Sequence, residues 1–113
     1  MLTTFFKYQS LCNDFILFDW YEKDAAAVVK VLTKKTLSNH IIAWCNRHTS
    51  IGADGVIFLT KDMQTLTPSM IIYNADGSSG GTCLNGLRCV ALHYFERYHK
   101  QNSFDILFNN NKR

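Results

Sequence analysis

The sequence lacks the features that mark a membrane protein or an exported one. No apolar stretch approaches the roughly 20 residues that a membrane-spanning helix needs. The N-terminal residues 1–7 have no basic segment followed by a long apolar core, so they do not resemble a secretory signal. We therefore expect a soluble cytoplasmic protein without a membrane partner.

The sequence also lacks the cysteine spacing of a zinc site. Its four cysteines, at positions 12, 45, 83 and 89, form no Cys-x-x-Cys pair, and no closely spaced histidine pair lies near two of them. Because no export signal is visible, they are predicted to be free thiols in a reducing compartment, and no metal is expected. A thiol redox or metal-binding protein remains an alternative function.

Runs of basic residues interleaved with aromatic residues are missing as well. The net charge is +3, but the lysines and arginines are scattered along the chain, which disfavours nucleic-acid binding. With 113 residues, of which 47% are hydrophobic, the chain is long enough for one domain with a modest core. We therefore treat residues 1–113 as a single domain.

Apolar patterning predicts an α+β fold with a mainly antiparallel, curved sheet around a central helix. Residues 3–8 and 15–20 are predicted to form a hairpin with Asn13 near its bend. The remaining predicted strands cover residues 56–60, 69–73 and 104–108, and the first two of these are predicted to form a hairpin. Helices are predicted over residues 25–35, from a cap at Thr36 or Ser38 to about Thr49, and from about Leu84 to His99. In the second helix, the predicted inward-facing residues are Ile41, Ile42, Trp44 and Cys45.

The stretch from Asn74 to Ala91 carries the strongest chemical signal. A glycine-rich segment leads from a strand to Cys83, and apolar residues then recur at helical spacing. Cys83 is therefore predicted to lie where a loop becomes a helix. There, the unpaired amide groups and the helix dipole lower the pKa of a thiol and can hold a carboxylate.

Four segments in this order resemble the diaminopimelate epimerase family. They are Leu11-Cys12-Asn13-Asp14-Phe15, residues 45–55 from Cys45-Asn46-Arg47-His48 to Asp54-Gly55, Asn74-Ala75-Asp76-Gly77-Ser78, and Cys83-Leu84-Asn85-Gly86-Leu87-Arg88-Cys89. The resemblance implies an amino-acid isomerase (a racemase or epimerase) of lysine biosynthesis that interconverts LL- and meso-diaminopimelate without pyridoxal phosphate or any other cofactor. It also implies two similar lobes, each a roll around a central helix, of which this chain matches only the first.

In such an enzyme, one thiolate removes the α-proton while a facing thiol delivers another to the opposite side. The resemblance assigns Cys83 to one of these roles and assigns substrate binding to Asn13, Asn74, Asn85 and Gly86. Ordinary local structure is the alternative, because Asn85 and Gly86 are common at helix starts and both Asn13 and Asn74 can close Asx-turns. With the second lobe absent, the partner is expected to be a homodimer or a separate lobe. A catalytically inactive remnant or an amino-acid-binding module remains the other alternative.

Three residues depart from the pattern that the resemblance implies. Ser10 and Cys12 replace glycines whose backbone angles they tolerate less well, and Leu84 replaces a glycine and is expected to narrow the anion site. The other cysteines, Cys45 and Cys89, are predicted to lie in the core. We predict that Arg47, His48 and Asp54 are structural ties, and that His40, His93 and His99 lie at the surface or its boundary.

Overall fold

A five-stranded sheet organises the protein in the computed structural model, which describes residues 5–24, 35–62, 64–80, 84–98 and 105–108. The strands are β1 (Phe5–Ser10), β2 (Asn13–Asp24), β3 (Gly55–Asp62), β4 (Thr67–Asn74) and β5 (Leu107–Phe108), and they lie in the sheet in chain order. The predicted α+β class is confirmed. The sheet is mixed, however, because β2–β3 and β4–β5 pair in parallel and only β1–β2 and β3–β4 pair antiparallel. A parallel pair needs a crossover, and the connection from β2 to β3 contains a helix.

Helices cover both faces of the sheet. Helix α1 (Lys35–Cys45) and helix α2 (Leu84–Arg97) each pack against alternate residues of the same strands. The cluster on the α1 face contains Ile16, Phe18, Ile41, Cys45, Ala53, Val56, Phe58 and Ile71. The cluster on the α2 face contains Phe15, Leu17, Ile57, Leu59, Met70, Ile72, Cys89 and Val90. Burial on both faces explains why the central strands are nearly continuous apolar runs instead of alternating ones.

Both predicted hairpins are confirmed. In the first, Ser10 pairs with Asn13 and leaves Leu11 and Cys12 as the loop. In the second, β3 and β4 pair antiparallel from Gly55 and Asn74 to Asp62 and Thr67. Helix α2 begins at the predicted Leu84 and ends at Arg97. The last strand is shorter than predicted within the described residues, and the helix predicted over residues 25–35 lies outside them apart from Lys35.

Helix α1 differs from its prediction at both ends and on one face. It begins at Lys35, before either predicted cap, and ends at Cys45 instead of Thr49. The chain turns back at this point, where the amide groups of Gly52 and Ala53 donate to the carbonyl oxygens of Trp44 and Cys45. Ile42, predicted to face inward, is 46% exposed, because it lies about 100° around the helix from the buried Ile41.

The prediction for His93 was wrong, because this side chain is fully buried between α2 and the first hairpin. Its Nδ1 lies 2.6 Å from the Tyr8 hydroxyl and its Nε2 lies 2.9 Å from Asp19 Oδ2. The Tyr98 hydroxyl donates to the same Asp19 oxygen at 2.7 Å. A lone histidine on a helix carries no sequence signal for partners that are 74 and 85 residues away.

Candidate functional site

The tip of the first hairpin meets the start of helix α2. Asn13 is the first residue of β2 and Asn85 is the second residue of α2. The Asn85 Nδ2 group donates to Asn13 Oδ1 at 2.6 Å, across 72 residues of sequence. Gly86 follows in the same helical turn and is buried. Three of the four predicted substrate-binding residues therefore lie together.

A cluster of charged side chains lies next to the tip of the first hairpin and holds Asp14, the residue after Asn13. Arg47 donates to the two carboxylate oxygens of Asp14 at 2.7 and 3.0 Å and to Asp54 Oδ1 at 3.3 Å. Lys7 approaches Asp14 Oδ2 to 3.2 Å. Arg47 and Asp54 are thus structural ties, as predicted, whereas the exposed His48 hydrogen-bonds through its backbone amide to Asn46.

This cluster shifts the protonation equilibria of its members. Hydrogen bonds from Arg47, and then from Lys7, hold the pKa of Asp14 well below its usual range although partial burial opposes the shift. The same contact with Asp14 raises the pKa of Arg47. Folding therefore stabilises the ionised form of Asp14 relative to its protonated form.

The lowered pKa of Asp14 predicts acid sensitivity with a definite sign. A depressed carboxyl pKa contributes stability above its unfolded value of about 3.9, and that contribution is lost as the pH falls from there toward the folded value. We expect Asp14→Asn to be less stable than wild type at pH 7 and to lose less stability between pH 5 and pH 2. Urea unfolding across this range measures both effects.

Asp62→Asn, which removes a carboxylate from the far end of β3, controls for the change in net charge. Some acid sensitivity will persist in Asp14→Asn, because hydrogen bonds from His93, Tyr98 and the Tyr21 amide outweigh burial and lower the pKa of Asp19. Parallel pH curves for wild type and Asp14→Asn would contradict the assignment.

Asn74 closes its own loop. Its Nδ2 donates to Ser78 Oγ at 3.0 Å and to the Ser79 carbonyl oxygen at 3.4 Å, and its backbone amide donates to the Ser78 carbonyl oxygen at 2.8 Å. Gly77 takes a φ of 86° in this turn, which glycine adopts at little cost. The structure therefore contains the local turn considered as the alternative for Asn74. Among the described residues, no hydrogen bond joins Asn74 to Asn13 or Asn85.

Backbone strain in the first hairpin falls on an unexpected residue. Leu11 has a φ of 57°, which lies in the left-handed region. Ser10 and Cys12, the two residues expected to replace glycines, have no positive φ. Such an angle costs an L-residue other than glycine on the order of 1 kcal/mol. Leu11 is 70% exposed and Leu84 is 68% exposed, so an exposed leucine lies close in sequence to each asparagine of the pair.

Cys83, the predicted catalytic residue, lies outside the described residues and directly precedes α2. Cys12 is exposed, whereas Cys45 and Cys89 are buried in the clusters on opposite faces of the sheet, as predicted. Burial raises the pKa of the Cys45 thiol. The described part of the chain brings no three His, Cys, Asp or Glu side chains together in a way that could hold a metal ion. Nor does any helix in these ranges have the length and apolarity to cross a membrane.

Comparison with known proteins gives one family. A family model described as diaminopimelate epimerase matches residues 5–113. The diaminopimelate epimerase of Thermosynechococcus vestitus is 41% identical to this chain over 95 residues, which are 84% of this chain and 30% of that protein. The diaminopimelate epimerase of Nostoc punctiforme is 42% identical over 91 residues, which are 80% of this chain and 30% of that protein. This chain thus spans about 30% of the length of these relatives. With the family model matched from residue 5 to residue 113, the chain belongs to the diaminopimelate epimerase family.

Proposed function

We propose that this chain is one substrate-binding lobe of a cofactor-independent epimerase that interconverts LL- and meso-diaminopimelate. The observation that carries the proposal is the contact between Asn13 and Asn85 at the start of α2, two residues after Cys83. Two side chains from distant motifs converge there beside a helix N-terminus. Backbone amide groups at such a terminus can bind a carboxylate.

Cys83 would act as an acid or base in this reaction. Its thiolate would take the α-proton, and the electron pair of the broken C–H bond would stay on the α-carbon and spread into the carboxylate. Amide groups of the first helical turn, including that of Asn85, would stabilise this charge. A thiol facing the other side of the carbon would then deliver a proton and invert the centre.

The asparagines would bind the polar groups of the substrate. Asn13 and Asn85 would contact the reacting end of diaminopimelate. Because both Nδ2 contacts of Asn74 are to its own loop, this residue would offer its Oδ1 to a substrate ammonium group. Asn74 would thus keep its local turn and still bind a ligand.

The second acid–base group would have to come from another lobe or from a second copy of this chain. The relatives are about three times as long as the part they share with this chain, which is consistent with a further lobe. A binding module without turnover is the second candidate, because the asparagine pair could hold an amino acid with no facing thiol. A redox pair between Cys45 and Cys89 is disfavoured, since the sheet separates them.

Hydrogen exchange at the α-carbon tests the proposal and separates it from the binding module. We incubate the full chain with LL-diaminopimelate in D₂O and follow both deuterium uptake and formation of the meso isomer by NMR. One thiol can remove the α-proton and return a deuteron to the same face, so we expect slow exchange with little inversion.

Binding without any exchange would favour the binding module. Light scattering on the same sample tells whether a second copy is present. Rapid inversion by a proven monomer would contradict the need for another acid–base group.

A further inference from the structure

The Asn13 amide is hydrogen-bonded at both ends. Its Nδ2 donates to Asp54 Oδ2 at 3.4 Å, and its Oδ1 accepts from Asn85 Nδ2 at 2.6 Å. The two ends of an amide have almost the same shape, so its orientation is decided by its partners. The partner that cannot change its role therefore decides the orientation of both asparagines.

Asp54 is that partner. An ionised carboxylate only accepts hydrogen bonds, so it requires the Nδ2 end of Asn13. Asn13 must then turn its Oδ1 toward Asn85, and Asn85 must donate to it from its Nδ2. We infer that Asp54 is a positioning residue that sets the direction of this amide chain and leaves Asn85 Oδ1 as the outward acceptor. Within the described ranges, no side chain or amide donates to Asn85 Oδ1.

The carboxylate of Asp54 is itself held in place. Arg47 donates to its Oδ1 at 3.3 Å, and the backbone amide of Asp14 donates to its Oδ2 at 3.0 Å. The backbone of Asp54 is fixed as well, because its amide donates to the Asp14 carbonyl oxygen at 2.9 Å and its carbonyl oxygen accepts from Ala75 at 3.1 Å. Asp54 is therefore held by the first hairpin, by Arg47 and by the loop after β4.

This polarity selects a ligand chemistry, and here the inference rests on the proposed function. Backbone amide groups at the start of α2 attract a carboxylate, whereas Asn85 Oδ1 attracts a donor. An α-amino acid offers both groups on one carbon. Asp54 thereby tunes the site for an ammonium group beside a carboxylate, and a ligand with the carboxylate alone binds less well.

Replacing Asp54 by asparagine tests the inference. Asp54→Asn keeps the shape of the side chain but can donate as well as accept, so the two amides are free to flip. We titrate the full chain with diaminopimelate and with pimelate, the same dicarboxylate without ammonium groups. We expect the wild type to prefer diaminopimelate and the variant to lose about tenfold of that preference, or about 1.4 kcal/mol.

A purely structural role would weaken both ligands alike and leave the preference unchanged, and that result would overturn the inference. The matched control is Asp62→Asn, because Asp62 also accepts a backbone amide, that of Gln64 at 2.9 Å, at the opposite end of β3. Asp54→Glu keeps an obligatory acceptor, so it should retain more of the preference than Asp54→Asn. Should Asp54→Asn not fold, Asn85→Ala removes the outward acceptor directly, and an unchanged preference there refutes the inference.

Side-chain amide signals separate this inference from the proposed function. In ¹⁵N-labelled chain without ligand, the Nδ2 protons of Asn85 should be protected from exchange in wild type and in Asp62→Asn. They should be less protected in Asp54→Asn, because a flipped Asn85 no longer donates to Asn13. If the wild type binds neither ligand, the proposed function fails. These signals still test whether Asp54 sets the orientation of the two amides. Unchanged Asn85 signals in Asp54→Asn would overturn the inference.

Discussion

His93→Leu is expected to destabilise the fold by about 2 to 4 kcal/mol, because it removes one hydrogen-bond partner from each of two partly buried polar groups. His93 joins α2 to both strands of the first hairpin through Tyr8 and Asp19. The acceptor-only carboxylate of Asp19 requires a proton on Nε2, which leaves Nδ1 to accept from the Tyr8 hydroxyl in the neutral ring. Leucine can satisfy neither group.

Urea unfolding of His93→Leu beside His40→Leu measures this effect. His40 is exposed on α1 and stacks on Trp44 with ring centroids 5.7 Å apart, so the same substitution there should change stability by only about 0.5 kcal/mol. Similar losses in the two variants would show that the buried hydrogen bonds of His93 contribute nothing specific.

His93 is also an example of a feature of the fold that the sequence could not predict. The central strands were predictable because they are buried on both faces, so their apolar runs stand out between polar turns. The parallel pairing of β2 with β3 was not, since strand direction depends on the crossover that follows and not on the strand residues. His93 was misplaced because its partners are distant in sequence.

The candidate site was partly predictable for a similar reason. The motifs identified Asn13 and Asn85 separately, but their direct contact depends on how α2 lies against the first hairpin. The link from Asn13 to Asp54 depends on the parallel pairing that starts at Phe15 and Gly55 and brings the two segments side by side. No local pattern in the sequence reports on that pairing.

Cys83→Ser is expected to reduce deuterium exchange into diaminopimelate by about 10² to 10⁴-fold, the usual contribution of a positioned acid or base. A serine hydroxyl keeps the shape but is far less acidic than a thiol. Cys12→Ser is the matched control, because Cys12 is an exposed thiol in the hairpin loop and has no role in the proposed chemistry. Equal exchange by wild type and Cys83→Ser would remove Cys83 from the mechanism.

The reactivity of the Cys83 thiol gives an independent test that needs no substrate. If the helix start lowers its pKa by about one unit from about 8.5, the thiolate fraction at pH 7 rises about eightfold, while nucleophilicity falls about threefold. The net gain in alkylation rate at pH 7 is then only about threefold, so the pH dependence is the sharper measure. We expect iodoacetamide labelling of Cys83 to have its midpoint near pH 7.5 or below, against about 8.5 for a cysteine peptide. In the folded chain, the buried Cys45 and Cys89 should stay unlabelled, and labelling of either before Cys83 would contradict the helix-start argument.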